Sequence, residues 1–246
     1  RLPGKNPDEI NRYSEEQNTL LALENGLTLP HIIFDVESGI KISEYFDIYT
    51  YNEKDFESTE LRKNAFEILN KLHSSEIIFL DNFSPYRVFE SLADASNGIE
   101  ENALNVGKEI IEKLNNIGLE QKPCHQDLYS GNFVIYEDKT YLIDWEYSSQ
   151  GDPYFDLADL FWQNEFEKKN GLKNLALSEI GLIDSDQKEK FFITRTFFVN
   201  KQLTLFFNFL QNASLNFAQN FRECSFNLAG SESVEKSKCA KIFAYI

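Results

Sequence analysis

Asp127, Asn132 and Asp144 lie close together in the stretch HQDLYSGNFVIYEDKTYLIDWE, which runs from His125 to Glu146. Phe133 to Tyr136 and Thr140 to Ile143 are β-prone runs around Glu137-Asp138-Lys139, a loop of hairpin length. Asn132 and Asp144 stand equally far from Asp138, so an antiparallel pair centred there brings them together at its open end. Asp127, five positions before Asn132, sits in a loop that can fold back over that same end. Three hard oxygen donors meeting at one point suit Mg²⁺, which takes carboxylate and amide oxygens and fills its shell with water and substrate phosphates. Phosphoryl transfer depends on positioning and charge neutralisation more than on covalent help from protein. The expected division of labour is therefore Asn132 and Asp144 on the metal and Asp127 as proton acceptor. Each residue alone has a plainer explanation, because Asp and Asn form turns and caps beside hairpins. The combination carries the reading, with His125 expected as a buried orienting residue.

The elements that must position these groups read as follows. The segment from Arg1 passes through a Pro and Gly turn and becomes helical up to an Asn25-Gly26 cap. HIIFDVESGIKISEYF reads as two short strands around a Glu37-Ser38-Gly39 turn. From an N-cap at Ser58 or Thr59, Leu61, Ala65, Leu69 and Leu72 recur at helical spacing. A second helix places Ala103, Gly107, Ile110, Leu114 and Ile117 on one face and closes at Gly118. After the hairpin, a helix is expected over roughly 154 to 169, then a loop from Ser178 to Asp186 and an aromatic-rich helical stretch from Gln187 past Phe221. No internal repeat is visible, and the tail beyond it suggests no element.

His125-Gln126-Asp127-Leu128 followed by Asn132 resembles the HxDxxxxN signature of the aminoglycoside phosphotransferases and choline kinases, relatives of the protein kinases. Ile143-Asp144-Trp145-Glu146-Tyr147 is similar to their metal-binding segment, and Gly151-Asp152-Pro153 with Phe155-Asp156-Leu157-Ala158 fits the bacterial choline kinases of the LicA type. The resemblance runs in order from Arg1 to about Glu165. It implies an α+β, two-lobed protein-kinase-like fold: an incomplete, small mixed nucleotide lobe with its hinge over 1–46, and a larger, mainly helical catalytic and substrate lobe over 47–246. It implies ATP and Mg²⁺ as cofactors, Asp127 as the base, Asn132 and Asp144 on the metal, and Glu146 assisting there. Arg1 would contact phosphate with Glu15 as its helix partner and Glu16 the alternative, while Glu44, Tyr45 and Phe46 would offer backbone bonds to adenine. Asp156 and His125 would support the loop.

The expected reaction is phosphorylation of a small alcohol, choline or a related amino alcohol such as ethanolamine. Quaternary ammonium needs aromatic faces, and Tyr147 and Trp162 are the candidates; Gln163 borders the same site, where an acid facing the ammonium is expected. Phe197, Phe198, Phe206 and Phe207 read as core. The Gly-rich phosphate loop of such enzymes is not among the 246 residues, and neither is any methionine. The expectation is that the natural start lies upstream or that stretches are omitted. An antibiotic-modifying phosphotransferase, wanting a broad acidic cleft, and a catalytically silent nucleotide-binding regulator are the other classes considered; intact Asp127, Asn132 and Asp144 speak against the latter.

A formal charge of −16 argues against a nucleic-acid partner, since phosphate backbones reward clustered Lys and Arg. Apolar runs are too short for a membrane span, the first residues carry no secretory pattern, and Cys124, Cys224 and Cys239 show no metal-site spacing. Reduced thiols in a cytoplasmic setting are expected, with a homodimer left open.

Overall fold

The computed structural model describes residues 10–88, 101–166, 168–169, 171–181, 186–187 and 189–196. Arg1, Cys224, Cys239, the aromatic residues from Phe197 onward and the C-terminal tail lie outside the described residues.

Helix α1 spans Arg12–Glu24, where the Asn11 side chain accepts from the backbone N–H of Ser14, and it ends at Asn25 with Gly26 at a φ of +60°. Strands β1 (Ile33–Asp35) and β2 (Ile40–Ile42) form the expected hairpin, its turn closed by Gly39 at a φ of +70°. A short strand β3 (Tyr49–Thr50), not evident from the sequence pattern, follows. Helix α2 (Thr59–His73) starts at Ser58 and buries Ala65, Phe66, Ile68, Leu69 and Leu72 as one stripe. Helix α3 (Glu101–Ile117) buries Gly107, Ile110, Ile111 and Leu114. Ile117, expected on that face, is 43% exposed in the last turn, whereas Ile111, not among the expected residues, is buried.

Strand β4 (Lys122–Cys124) enters the loop that carries Asp127, and β5 (Phe133–Tyr136) and β6 (Lys139–Leu142) form the central hairpin. β5 lies between β3 and β6 in a three-stranded sheet, while β4 pairs with β7 (Ser149–Gly151). The hairpin register differs from the symmetric reading by one residue. Tyr136 pairs with Lys139 and Phe133 with Leu142, so the turn is the two-residue Glu137-Asp138. Both turn residues have positive φ, +48° and +60°, as a type I′ turn requires. Asn132 consequently faces Ile143, whose N–H donates to the Asn132 carbonyl at 3.0 Å, and Asp144 comes one step later.

Helix α4 (Pro153–Gln163) is capped by Asp152 and stops well before Lys169. Glu165 takes a left-handed φ of +55°, its N–H reaches the Trp162 carbonyl and the Phe166 N–H reaches that of Phe161. This is a Schellman stop with its usual apolar contact, here the Phe161 and Phe166 rings at 4.6 Å. Helix α5 (Leu172–Glu179), also unread from the sequence, packs back onto α2 through Arg62, which is fully buried. Arg62 donates to both oxygens of Glu179, at 2.6 and 2.8 Å, and to the Phe56 carbonyl at 2.8 Å. Residues 189–196 are helical and bring buried Phe191 onto Phe161. The core joins α2, the hairpin and α4 through Phe56, Phe133, Trp145, Phe161 and Phe166, each fully buried. Burial of such a side chain stabilises by about 1.5–3 kcal/mol.

Candidate active site

The loop after β4 is held from below by α4. Asp156, fully buried, accepts from the backbone N–H groups of His125 (2.9 Å) and Gln126 (2.8 Å) and faces the His73 Nε2 of α2 at 2.8 Å. These bonds stabilise a turn in which Gln126 adopts a φ of +69°. His125 is itself buried, stacked at 4.8 Å against Trp145, and its Nε2 meets the Ile143 carbonyl at 3.0 Å. The loop is thus tied to α4 on one side and to the end of the hairpin on the other. A Cβ at Gly131 would fall 2.4 Å from the far end of the Tyr129 side chain, which is 45% exposed and would have to swing aside.

Asp127 emerges at the top of this loop. Its Oδ2 accepts from Asn132 Nδ2 at 2.9 Å, and the same amide bonds the Asp127 carbonyl at 2.8 Å. Its Oδ1 accepts from Gln163 Nε2 at 3.0 Å. One turn before Gln163, Asp159 accepts from the Leu128 N–H at 2.6 Å. Burial pushes the Asp159 carboxyl up to about 7, against the pull of the Leu128 bond, and the nearby charges of Asp127 and Asp156 add to the rise.

Beside this loop lies an acidic group. Carboxylate oxygens of Glu15, Asp144 and Glu146 all lie within 4.8 Å of one another. Asp144 leaves the hairpin at a φ of +65°, a left-handed step that ends the alternation of β6, so its side chain does not follow the strand pleat. Arg12 Nη1 contacts Glu15 at 2.5 Å and Glu146 at 3.2 Å. Burial works against the Arg12 charge, but these bonds outweigh it and raise its pKa. Three carboxylates this close to one another, two of them in contact with Arg12, make a hard-oxygen environment that fits a divalent cation such as Mg²⁺. An Asn132 amide that gives its nitrogen to Asp127 keeps its oxygen for the same purpose.

The remaining expected residues are placed as follows. Glu44, Tyr45 and Phe46 belong to no helix or strand; Tyr45 is 92% exposed and the Phe46 ring meets Tyr136 at 5.1 Å. Tyr147 is 50% exposed, directly after the acidic group, and Trp162 is partly buried on α4. Glu15, expected as the helix partner of Arg1, contacts Arg12, because a spacing of three on α1 brings the two side chains together; Arg1 itself lies outside the described residues. Arg12 and Asp159 escaped the sequence reading. Their signals were local: Arg12 with Glu15, and Asp156, Asp159 and Gln163 at spacings of three and four on one helix face.

A loop acid held between amides, with a cluster of three carboxylates at the end of the hairpin, is the arrangement of a kinase-like phosphotransferase. The chain belongs to the phosphotransferase enzyme family (APH), whose model matches residues 27–173. It is 28% identical over 178 residues to the protein LicA of Haemophilus influenzae strain Rd, a match covering 69% of this chain and 67% of that protein. A second Haemophilus influenzae LicA is matched over 52% of its length. The crystal structure of choline kinase LicA from Streptococcus pneumoniae superposes with a TM-score of 0.71 at 28% identity, covering 87% of this chain and 78% of that one. A choline/ethanolamine kinase family protein from Mesorhizobium loti, at 21% identity and a TM-score of 0.74 over 87% of this chain and 74% of its own, shares the fold. These likenesses place the chain among the small-molecule kinases of that family, on the side of the choline/ethanolamine kinases.

Proposed function

We propose that the chain catalyses Mg²⁺-dependent transfer of the γ-phosphoryl group of ATP to the hydroxyl of a small amino alcohol, choline first and ethanolamine next. The observation that carries this reading is the Asp127 carboxylate, held by Asn132 and Gln163, together with the acidic group of Glu15, Asp144 and Glu146. Asp127 accepts the hydroxyl proton as the alcohol oxygen bonds to the γ-phosphorus and the bond to the β-phosphate bridging oxygen breaks, leaving ADP and a phosphate ester. Asn132 and Asp144 would hold the cation, with Glu146 and Glu15 completing its acidic surroundings. Mg²⁺, when bound, neutralises the charge on the transferred phosphate. The backbone of Glu44 to Phe46 would meet adenine, and Arg1 the phosphates. Complexes of related proteins support nucleotide binding here: LicA was solved with AMP, and aminoglycoside 2′-phosphotransferase-IIIa with GDP. The half-exposed Tyr147 and the partly buried Trp162 would wall the ammonium pocket.

The test is ATP consumption measured with choline, ethanolamine, simple sugars and aminoglycosides. Turnover with choline above the other acceptors, reduced about 10²- to 10⁴-fold in Asp127→Asn, is the expected result. Turnover restricted to aminoglycosides would move the acceptor to antibiotics. Undiminished ATP turnover in Asp127→Asn with each acceptor would remove the enzyme reading.

A further inference from the structure

Both oxygens of Asp127 accept from side-chain amides, and the two amides come from distant parts of the chain. Asn132 belongs to the same loop, whereas Gln163 is the last residue of α4, 36 positions from Asp127. Gln163 is in turn oriented from behind. Its Nε2 lies 3.4 Å from Asp159 Oδ2, the same oxygen that accepts from the Leu128 N–H at 2.6 Å. Asp159 is only 2% exposed, so it does not face the cleft; it ties the residue after Asp127 to the helix that supplies the amide.

We propose that Gln163 is a positioning residue for Asp127, anchored by Asp159, and that this amide sets the plane of the proton-accepting carboxylate. The inference rests on the reading of Asp127 as the base.

An Asp carboxylate turns broadly about its last side-chain bond. Bonded at one oxygen, it can still swing; bonded at both, its plane is defined, and each oxygen retains a lone pair for the incoming hydroxyl. Proton transfer needs hydrogen-bond reach of about 2.6–3.2 Å, and a displacement near 1 Å can cost on the order of 10²-fold in rate. Position 163 is also where an acid would stand if its task were to face an ammonium ion. A neutral amide directed at Asp127 does not perform that task.

Three substitutions test this with ATP and choline. Gln163→Leu removes the donor, Gln163→Glu keeps the shape but places a second carboxylate against Asp127, and Asp159→Asn weakens the anchor. Both Gln163 variants are expected to lose about 10- to 100-fold in kcat, with the KM values for ATP and choline staying within about threefold and thermal unfolding close to wild type; Asp159→Asn loses less. In the Asp127→Asn background, Gln163→Leu should cost nothing more, because the group it positions is gone; a merely structural role would still subtract. Wild-type kcat in folded Gln163→Leu overturns the proposal. So does a Gln163→Glu enzyme that keeps its kcat and binds choline more tightly, since position 163 would then be an ammonium contact. Should one Gln163 variant fail to fold, the other carries the test. Undiminished turnover in Asp127→Asn would instead remove the underlying base assignment, whereas an inactive Asp127→Asn beside a fully active Gln163→Leu removes this inference alone.

Discussion

Charge at the site is divided between two neighbouring groups that do different work. Asp144 belongs to the acidic group with Glu15 and Glu146, and Tyr147 follows three residues later with half its surface open. Their substitutions should therefore separate kinetically. Asp144→Ala is expected to abolish Mg²⁺-dependent turnover, while Tyr147→Ala raises the choline KM and leaves kcat largely intact. Steady-state kinetics over a choline series distinguishes the two. Equal loss of kcat in both, with KM unmoved, would contradict Tyr147 as a binding wall. Asp159 makes a second prediction at this scale. Its carboxyl, pushed up to about 7 mainly by burial, stays protonated in the folded protein over a range where the unfolded chain, with its carboxyl near 3.9, has released the proton. The folded state then binds more protons, so stability falls as pH rises between about 4 and 7, by an amount on the order of 4 kcal/mol at most. Glu179, held low by its hydrogen bond to Arg62, acts with the opposite sign and below about pH 4.5. Urea midpoints at pH 5 and pH 7.5 should accordingly drop less in Asp159→Asn than in wild type.

Among the elements, α4 organises the site, because three of its side chains reach the loop that carries Asp127. Asp156 takes two loop N–H groups, Asp159 a third, and Gln163 the Asp127 carboxylate. Asp156→Ala leaves two backbone donors in the interior without acceptors, at about 1–3 kcal/mol each. A fall in unfolding free energy of about 3 kcal/mol, read by urea titration, is expected together with reduced kcat; a change below about 0.5 kcal/mol would show that the loop holds itself. The end of α4 offers a test of opposite sign. Glu165 occupies the left-handed step of the Schellman stop, where glycine is at ease. Glu165→Gly should raise stability by about 0.5–1 kcal/mol, because its pairing with Lys168 is largely exposed and contributes little.

For the molecule as a whole, the site lies where α1, the hairpin and α4 meet. Arg12 joins α1 to the hairpin through Glu146, and Asn18 of α1 donates to the Ser148 carbonyl at 2.9 Å. Arg62 fastens α2 to α5 at the opposite side of the core. The strongly negative net charge of −16 is compatible with a small cationic substrate, but the acids that matter are those brought together near Arg12. No described helix is long and apolar enough to cross a membrane.

The Asn25-Gly26 helix end, the cap at Ser58, the β1–β2 turn at Gly39 and the loop pattern from His125 to Asn132 were legible in the sequence, because capping, left-handed turns and side-chain chemistry depend on neighbours a few positions away. The hairpin itself was legible, but not its register: two consecutive left-handed residues at Glu137 and Asp138 shortened the turn and moved every pair by one. Asp144 reaches the acidic group through its own left-handed turn, not through the symmetry that the spacing suggested. Only the tertiary structure decided that Arg12 reaches Glu146, that Asp159 is sealed from water, and that the Gln163 amide meets Asp127 from 36 residues away. Such pairings follow from how α1, the hairpin and α4 pack on a shared core, a balance of burial over the whole chain that local periodicity does not encode.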